Sequence, residues 1–333
     1  MKKLIDDIGV IVIGRNEGER LKRCLQRVIS QIDKIVYVDS GSSDGSVEYA
    51  ESIGVDIIRL DMKIPFCAGR ARNEGFQLLN KKYHKLKYFQ FIDGDCEVFE
   101  GWLSFAYNYL EKYKSCAVVA GRRKEKYPEK SIYNKLCDIE WNTPIGEAKA
   151  CGGDFMIRKE AFLQVEGFNP VVLVSEEPEL CYRLRNRNWS IYRLDHLMTF
   201  HDAAIMRFSQ WWKRNLRMGH GGAQIVSLGL SAYGGKSYFL RGIASMWFWA
   251  IIFPVSVLMF ALIINISFLL LFTAYLVQLV RIATHVYKRI EDVKLSVICS
   301  FFSIIGKWPQ LQGQLLFLKR KLFGQAYTIV EYS

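Results

Sequence analysis

After residue 206 this chain has almost no acid: three Asp+Glu stand against 14 Lys+Arg, whereas the first 206 residues carry 30 against 31. The formal net charge of +12 therefore sits almost wholly in the last part of the chain. That asymmetry argues against general binding to nucleic acid and for a basic tail. Charge of either sign is missing between Arg241 and Arg281, a run of 39 residues. The eight cysteines, at 24, 67, 96, 116, 137, 151, 181 and 299, show no short paired spacing. That excludes a zinc ribbon or a CxxC redox centre and reads as reduced, mostly buried thiols. The N-terminus offers no uninterrupted signal-peptide core, because Asp6 and Asp7 follow Leu4 and Ile5, and the first part is expected to stay in the cytosol. Neither a P-loop lysine motif nor a GxGxxG dinucleotide fingerprint occurs.

What is present is an alternation of strands and helices. Gly9–Gly14 is a short continuous apolar run of the kind that forms a buried parallel strand, and Leu21, Cys24, Leu25, Val28 and Ile32 then recur at helical spacing. Residues 34–39 give a second strand, 40–46 a polar glycine-containing turn, 47–53 a helix and 55–60 a third strand. Such an order implies a doubly wound α/β sheet, whose ligands bind beyond the carboxyl ends of the strands. Asn16 and Glu17, Asp39, and Asp93 all fall at such ends.

The stretch FIDGDCE, residues 91–97, closes another apolar run and delivers Asp93 and Asp95 two apart, so that both carboxylates can face one ligand. Two hard oxygen donors at that spacing suit Mg²⁺ or Mn²⁺, while an Asp-Gly hairpin turn is the plainer alternative. Other residues carry the same double reading. Asp39 can bind a ribose or base or cap its turn. Arg72 can hold a base or phosphate or lie on a solvated helix face. Asp154 can contact a sugar hydroxyl or cap a helix. Glu176 and Glu177 can be a catalytic acid pair or the acidic start of a helix that Pro178 opens. His201 can complete a metal site or pair with a nearby carboxylate. Lys213, Arg214 and Arg217, on one helical side, can close over a diphosphate or rest on anionic lipid.

Taken in order, VIVIGRNE, YVDSGSSDGS, AGRARNEG, FIDGDCE, CGGDFMIRKEAFLQVEGFNP and EEPELCYRLR resemble a family-two glycosyltransferase of the GT-A fold, over about residues 8–202. The resemblance implies a mostly parallel mixed sheet and transfer, with inversion, from a nucleotide-diphosphate sugar such as a UDP-sugar to a hydroxyl acceptor, glycan or lipid-linked. It implies Mn²⁺ or Mg²⁺ held by the DXD residues Asp93 and Asp95 with His201. The donor would lie on Asn16, Glu17, Asp39, Arg72, Asp93, Lys213, Arg214 and Arg217. The acceptor would lie near Gly153 and Asp154, and the base would be Glu177, with Glu176 as the alternative because relatives have Glu-Asp where this chain has Glu-Glu. A catalytic domain over 1–206 would divide at residue 100 into nucleotide and acceptor halves. A basic connector would follow over 207–241, then a membrane hairpin over 242–284 and a tail over 285–333. The 39 uncharged residues make about 58 Å of helix, close to two crossings of a core about 30 Å thick, with the turn expected near Asn265. Basic flanks on both sides put both ends on the cytoplasmic face of the inner membrane. The alternative of another class is a non-catalytic, membrane-tethered nucleotide-binding scaffold.

Overall fold

A computed structural model of the chain describes residues 6–230 and 236–324. The described residues divide into two units, 6–206 and 207–229 with 236–324. The first is built on one mixed sheet with the order β3-β2-β1-β4-β8-β6-β9-β5, and β7 pairs with β9 at the side. Its strands are β1 (Ile8–Gly14), β2 (Ile35–Asp39), β3 (Asp56–Arg59), β4 (Tyr88–Asp93), β5 (Cys96–Val98), β6 (Cys116–Glu125), β7 (Gly146–Glu147), β8 (Phe155–Arg158) and β9 (Ser190–His201). The helices between them are α1 (Glu19–Ile29), α2 (Ser46–Ser52), α3 (Ala68–Lys82), α4 (Trp102–Lys112), α5 (Ile132–Trp141), α6 (Lys159–Gln164) and α7 (Glu176–Asn186).

The first four strands in the sheet are parallel and run as continuous apolar segments because helices cover the sheet. α1 turns Leu21, Cys24, Leu25 and Val28 inward, as its spacing predicts. Register then assembles the site: Gly14 pairs with Asp39 and Ile13 with Asp93, so the loops after β1, β2 and β4 open at the same sheet edge. The hydrophobic cluster that holds this arrangement draws its buried members from Ile8 to Met198.

The pairing of β6 with β9 shapes the site. Residues 190–201 form the single strand β9, and between Ala120 and Arg123 its register against β6 shifts twice, with the extra residues on β9. Such bulges re-aim side chains. Arg122 pairs with the exposed Asp195 at 2.6 Å, whereas its neighbour Arg123 is directed toward the carboxylates described below.

The second unit contains α8 (Phe208–Ser227), α9 (Lys236–Trp247), α10 (Phe253–Ile263), α11 (Thr273–Ile290), α12 (Val293–Ile305) and α13 (Lys307–Leu322). A wide π-type turn over Phe248–Ile252 joins α9 to α10 just before Pro254, which lacks the backbone donor that a regular helix would require there. The helical path breaks at Ile264–Asn265, where Asn265 caps a 3₁₀ segment, Ile266–Phe272, by accepting from the Ser267 N–H at 2.8 Å. Two continuous helical stretches, Leu240–Ile263 and Ile266–Ile290, are long and apolar enough to cross a membrane. The second extends six residues beyond the expected end at 284.

α8 and α13 approach closely at two glycines. A Cβ on Gly219 would lie 1.9 Å from the Gln310 carbonyl oxygen, and one on Gly313 would lie 2.0 Å from that of Leu216.

Candidate active site

β4 ends at Asp93, and Gly94, whose N–H donates to the Ile13 carbonyl at 2.7 Å, turns the chain so that Asp95 precedes β5. Cys96 pairs with His201 across the antiparallel β5–β9 ladder, which brings His201 Nε2 to 2.8 Å from Asp95 Oδ2. Trp141, at the end of α5, stacks on the His201 ring with centroids 4.5 Å apart and planes 16° from parallel. Burial works against charge on Asp95, but His201, then Arg20 and Arg123, hold its carboxyl down to about 2. His201 shows the reverse balance: burial lowers its pKa, while Asp95 raises it above the ordinary imidazole value. The carboxylate-paired alternative for His201 is thus realised. The same two side chains offer an oxygen and an imidazole nitrogen, a donor set suited to Mn²⁺, and His201 Nδ1 is buried without a hydrogen-bond partner.

Asp93 is held differently. Arg72, which is 2% exposed, donates from Nη2 to Asp93 Oδ1 at 2.7 Å and from Nη1 to Glu176 Oε1 at 2.9 Å. One guanidinium thereby ties the strand end to the start of α7. Arg72 is occupied by carboxylates instead of standing open to a base. Asp154 is fully buried. Its Oδ1 accepts from the Asp93 N–H at 3.0 Å, its Oδ2 accepts from Thr199 at 2.9 Å, and Arg123 Nη2 lies 2.8 Å from the same oxygen. That engagement makes Asp154 a strut beneath Asp93, out of reach of a sugar hydroxyl. Gly153 lies against it for a steric reason, since a Cβ there would come within 2.5 Å of Asp93 Oδ2.

At the end of β2, Asp39 Oδ2 accepts from the N–H groups of Gly41 and Ser42, each at 2.9 Å, and Oδ1 accepts from the Tyr37 hydroxyl at 2.9 Å. The turn-capping alternative is therefore present. Asn16 stitches the loops after β1 and β2, with its N–H donating to Ser42 Oγ and its Oδ1 accepting from the Ser43 N–H. Glu17 pairs with Arg20 at 2.7 Å. Burial, followed by the charge of Asp95, pushes the Glu17 carboxyl up to about 7.

The two glutamates at the start of α7 are unlike. Glu176 is in the Arg72 pair. Glu177 Oε1 accepts from the Gly152 N–H at 2.7 Å. Burial, then the Glu176 charge, pushes the Glu177 carboxyl up to about 8. Its ionised form, the one able to accept a proton, is a stronger base than an ordinary carboxylate and becomes the main form only as pH rises through about 8.

Lys213, Arg214 and Arg217 lie on α8, in the second unit, and the cluster in the first unit is built without them. Sequence reasoning missed Arg123 and Trp141. Consecutive arginines at the end of an apolar strand-like run, residues 116–123, were the available signal for the first. For Trp141, nothing in its neighbourhood signals a partner 60 residues on.

Residues 9–164 match the glycosyl transferase family 2 model. The glycosyltransferase AglE of Haloferax volcanii is 22% identical over 241 residues, 68% of this chain and 77% of that protein. Among solved structures, the mannosyltransferase PcManGT from Pyrobaculum calidifontis, in complex with GDP-Man and Mn²⁺, superposes with a TM-score of 0.61 at 13% identity, covering 95% of this chain and 88% of that one. At that identity the likeness establishes the fold alone, which is of the GT-A type.

Proposed function

We infer, for a chain that carries a glycosyl transferase family 2 domain over residues 9–164, an inverting transfer of sugar from a nucleotide-diphosphate donor, a UDP-sugar, to a hydroxyl acceptor. The observation that carries this reading is the place of Glu177, at the start of α7 with Oε1 on the Gly152 N–H, one residue from the Arg72-bound Glu176 that ties this helix to Asp93. In the proposed reaction Glu177 takes the acceptor hydroxyl proton as that oxygen attacks the anomeric carbon. Arg72 keeps the start of α7 in register with Asp93, and the Gly152–Gly153 backbone lines the acceptor side.

Asp95 and His201 are the residues whose chemistry best fits Mn²⁺ or Mg²⁺, with Asp93 beside them already countered by Arg72. A divalent cation there would neutralise charge on the departing diphosphate. Asn16, Glu17 and Asp39 are assigned to the donor nucleoside. The two long apolar helices, exposed through most of their length, support a membrane anchor. Basic residues at Arg241, Arg281, Lys288 and Arg289 support a catalytic unit on the cytoplasmic face, with a lipid-linked or growing polysaccharide as acceptor. A non-catalytic scaffold would have no use for Asp93, Asp95 and Glu177 together, and their joint presence favours the enzyme.

The test is a panel of UDP- and GDP-sugars scored for thermal stabilisation with Mn²⁺ and with chelator. A UDP-sugar that stabilises only with metal and is then turned over supports the reading. Stabilisation without turnover on any hydroxyl acceptor would favour the scaffold.

A further inference from the structure

An imidazole that ligates a metal is ordinarily held in orientation by its second ring nitrogen, which donates to a carboxylate, a carbonyl or water. His201 has no protein partner for that task. Among the described residues nothing bonds its buried Nδ1, while Nε2 faces Asp95 Oδ2 at 2.8 Å. What the ring has instead is the flat face of Trp141, with centroids 4.5 Å apart and planes 16° from parallel. The Arg123 guanidinium lies 5.6 Å from the centre of the same indole, and Arg123 Nη2 is 2.8 Å from Oδ2 of the fully buried Asp154.

The helix that carries Trp141 is itself tied down. Ser131 caps α5 by accepting from the Asn134 N–H at 3.0 Å, and its hydroxyl donates to the Ile205 carbonyl at 2.5 Å. Asn134, Asp138 and Trp141 follow at intervals of four and three, on one face of α5. Asn134 is fully buried: Nδ2 donates to Glu125 Oε1 at 3.2 Å and to the Tyr127 carbonyl at 3.1 Å, and Oδ1 accepts from the Ile205 N–H at 3.0 Å. Asp138 Oδ1 accepts from the Glu125 N–H at 3.2 Å. Glu125 is the register partner of His201 in the β6–β9 ladder, and its Oε2 accepts from the Ala203 N–H at 3.0 Å. α5 is thereby fixed both to the end of β6 and to the chain leaving β9, the two segments that flank His201. A buried polar network satisfied in this way is rigid, so the indole at the end of α5 keeps its place against the imidazole.

We propose that Trp141 is the positioning residue of the cation site. Its indole holds the His201 ring so that Nε2 and Asp95 Oδ2 present their lone pairs to one divalent ion, the task that a hydrogen bond on Nδ1 performs elsewhere. A flat ring is what the task requires, since apolar bulk alone does not fix the plane of an imidazole. This rests on the reading of Asp95 and His201 as the cation's ligands.

The experiment uses the full chain in detergent micelles, with Mn²⁺ alone as the probe. Free Mn²⁺ is read by its paramagnetic resonance signal, and the bound ion by the spin-echo modulation that a directly coordinated nitrogen imparts. The wild type should show that modulation and His201→Gln should not. Trp141→Leu, which keeps apolar bulk without a flat ring, should bind Mn²⁺ about 10- to 100-fold more weakly, with the nitrogen modulation reduced or lost. Trp141→Phe should restore both. Trp141→Leu with wild-type affinity and full modulation overturns the proposal and leaves His201 as a ligand. Absence of modulation in the wild type, or its persistence in His201→Gln, overturns the ligand reading and the proposal with it. The melting temperature in chelator, which a misplaced ligand does not move, is recorded for each variant to show that the fold persists. A measurement on the unaltered sequence accompanies this: the chain is labelled with fluorotryptophan, and the Trp141 fluorine resonance is assigned by its absence from Trp141→Phe. That line should broaden away as Mn²⁺ fills the site and return with chelator. A Trp141 line that stays sharp while Mn²⁺ is bound overturns the proposal whether or not the leucine variant folds.

Discussion

Glu177 ties stability and catalysis together in opposite directions. Its carboxyl is raised from 4.5 to about 8, so between those values the folded protein holds a proton that the unfolded chain has released, and stability falls as pH rises through that window. Glu177→Gln removes this dependence. The variant is expected to melt above the wild type at pH 8 and beyond and to match it near pH 4. Turnover should fall by about a hundredfold or more, with donor affinity unchanged. Calorimetric melting at the two pH values and initial rates check both halves. If Glu176→Gln loses turnover while Glu177→Gln keeps it, the base is the neighbouring carboxylate. Arg72 makes the second residue-scale prediction. Removing one partner from a buried ion pair leaves uncompensated charge, at a cost of about 3–5 kcal/mol. Arg72→Met should lower unfolding free energy in urea by that order, and adding Glu176→Gln should recover part of the loss. A loss of no more than ~1 kcal/mol would mean that the pair contributes little.

Single elements differ in how plainly the sequence announced them. β1, β2 and β4 are short apolar runs closed by polar turns, and α1 and α7 carry clear spacing or an acidic start with proline, so periodicity and capping alone locate them. The stretch from 101 to 149 was illegible by the same means. β6 turns from apolar to basic at Arg122, and its two arginines part company only because of bulges that depend on the partner strand. Pairing between β6 and β9 is long-range information, and Arg123, Asp154 and Thr199 meet through it. The α8–α13 contact is similarly invisible until both helices are seen. Gly219→Ala and Gly313→Ala should each push the helices apart, since the clash is with backbone that cannot rotate away, and cost about 1–3 kcal/mol. Gly242→Ala, with nothing within 4 Å of the added carbon, serves as the control and should melt like the wild type.

For the whole molecule, the charge asymmetry and the 39-residue uncharged run mark the division between an α/β part and an apolar helical part. Topology gives the prediction at this scale. Single cysteines at 241 and 288 should both resist an impermeant thiol reagent in intact cells and react after permeabilisation. Labelling of one alone would mean a single crossing. The hydrophobic cluster of the first unit, whose buried members all fall between Ile8 and Met198, has a further consequence: the sheet is a portable cassette. A fragment ending at residue 206 should fold in detergent-free buffer with a single cooperative unfolding transition, and so could be spliced ahead of an unrelated anchor and still be a complete folding unit. A fragment that binds hydrophobic dye and unfolds without a transition would show instead that the two parts were never separable, and that the chain evolved as one piece.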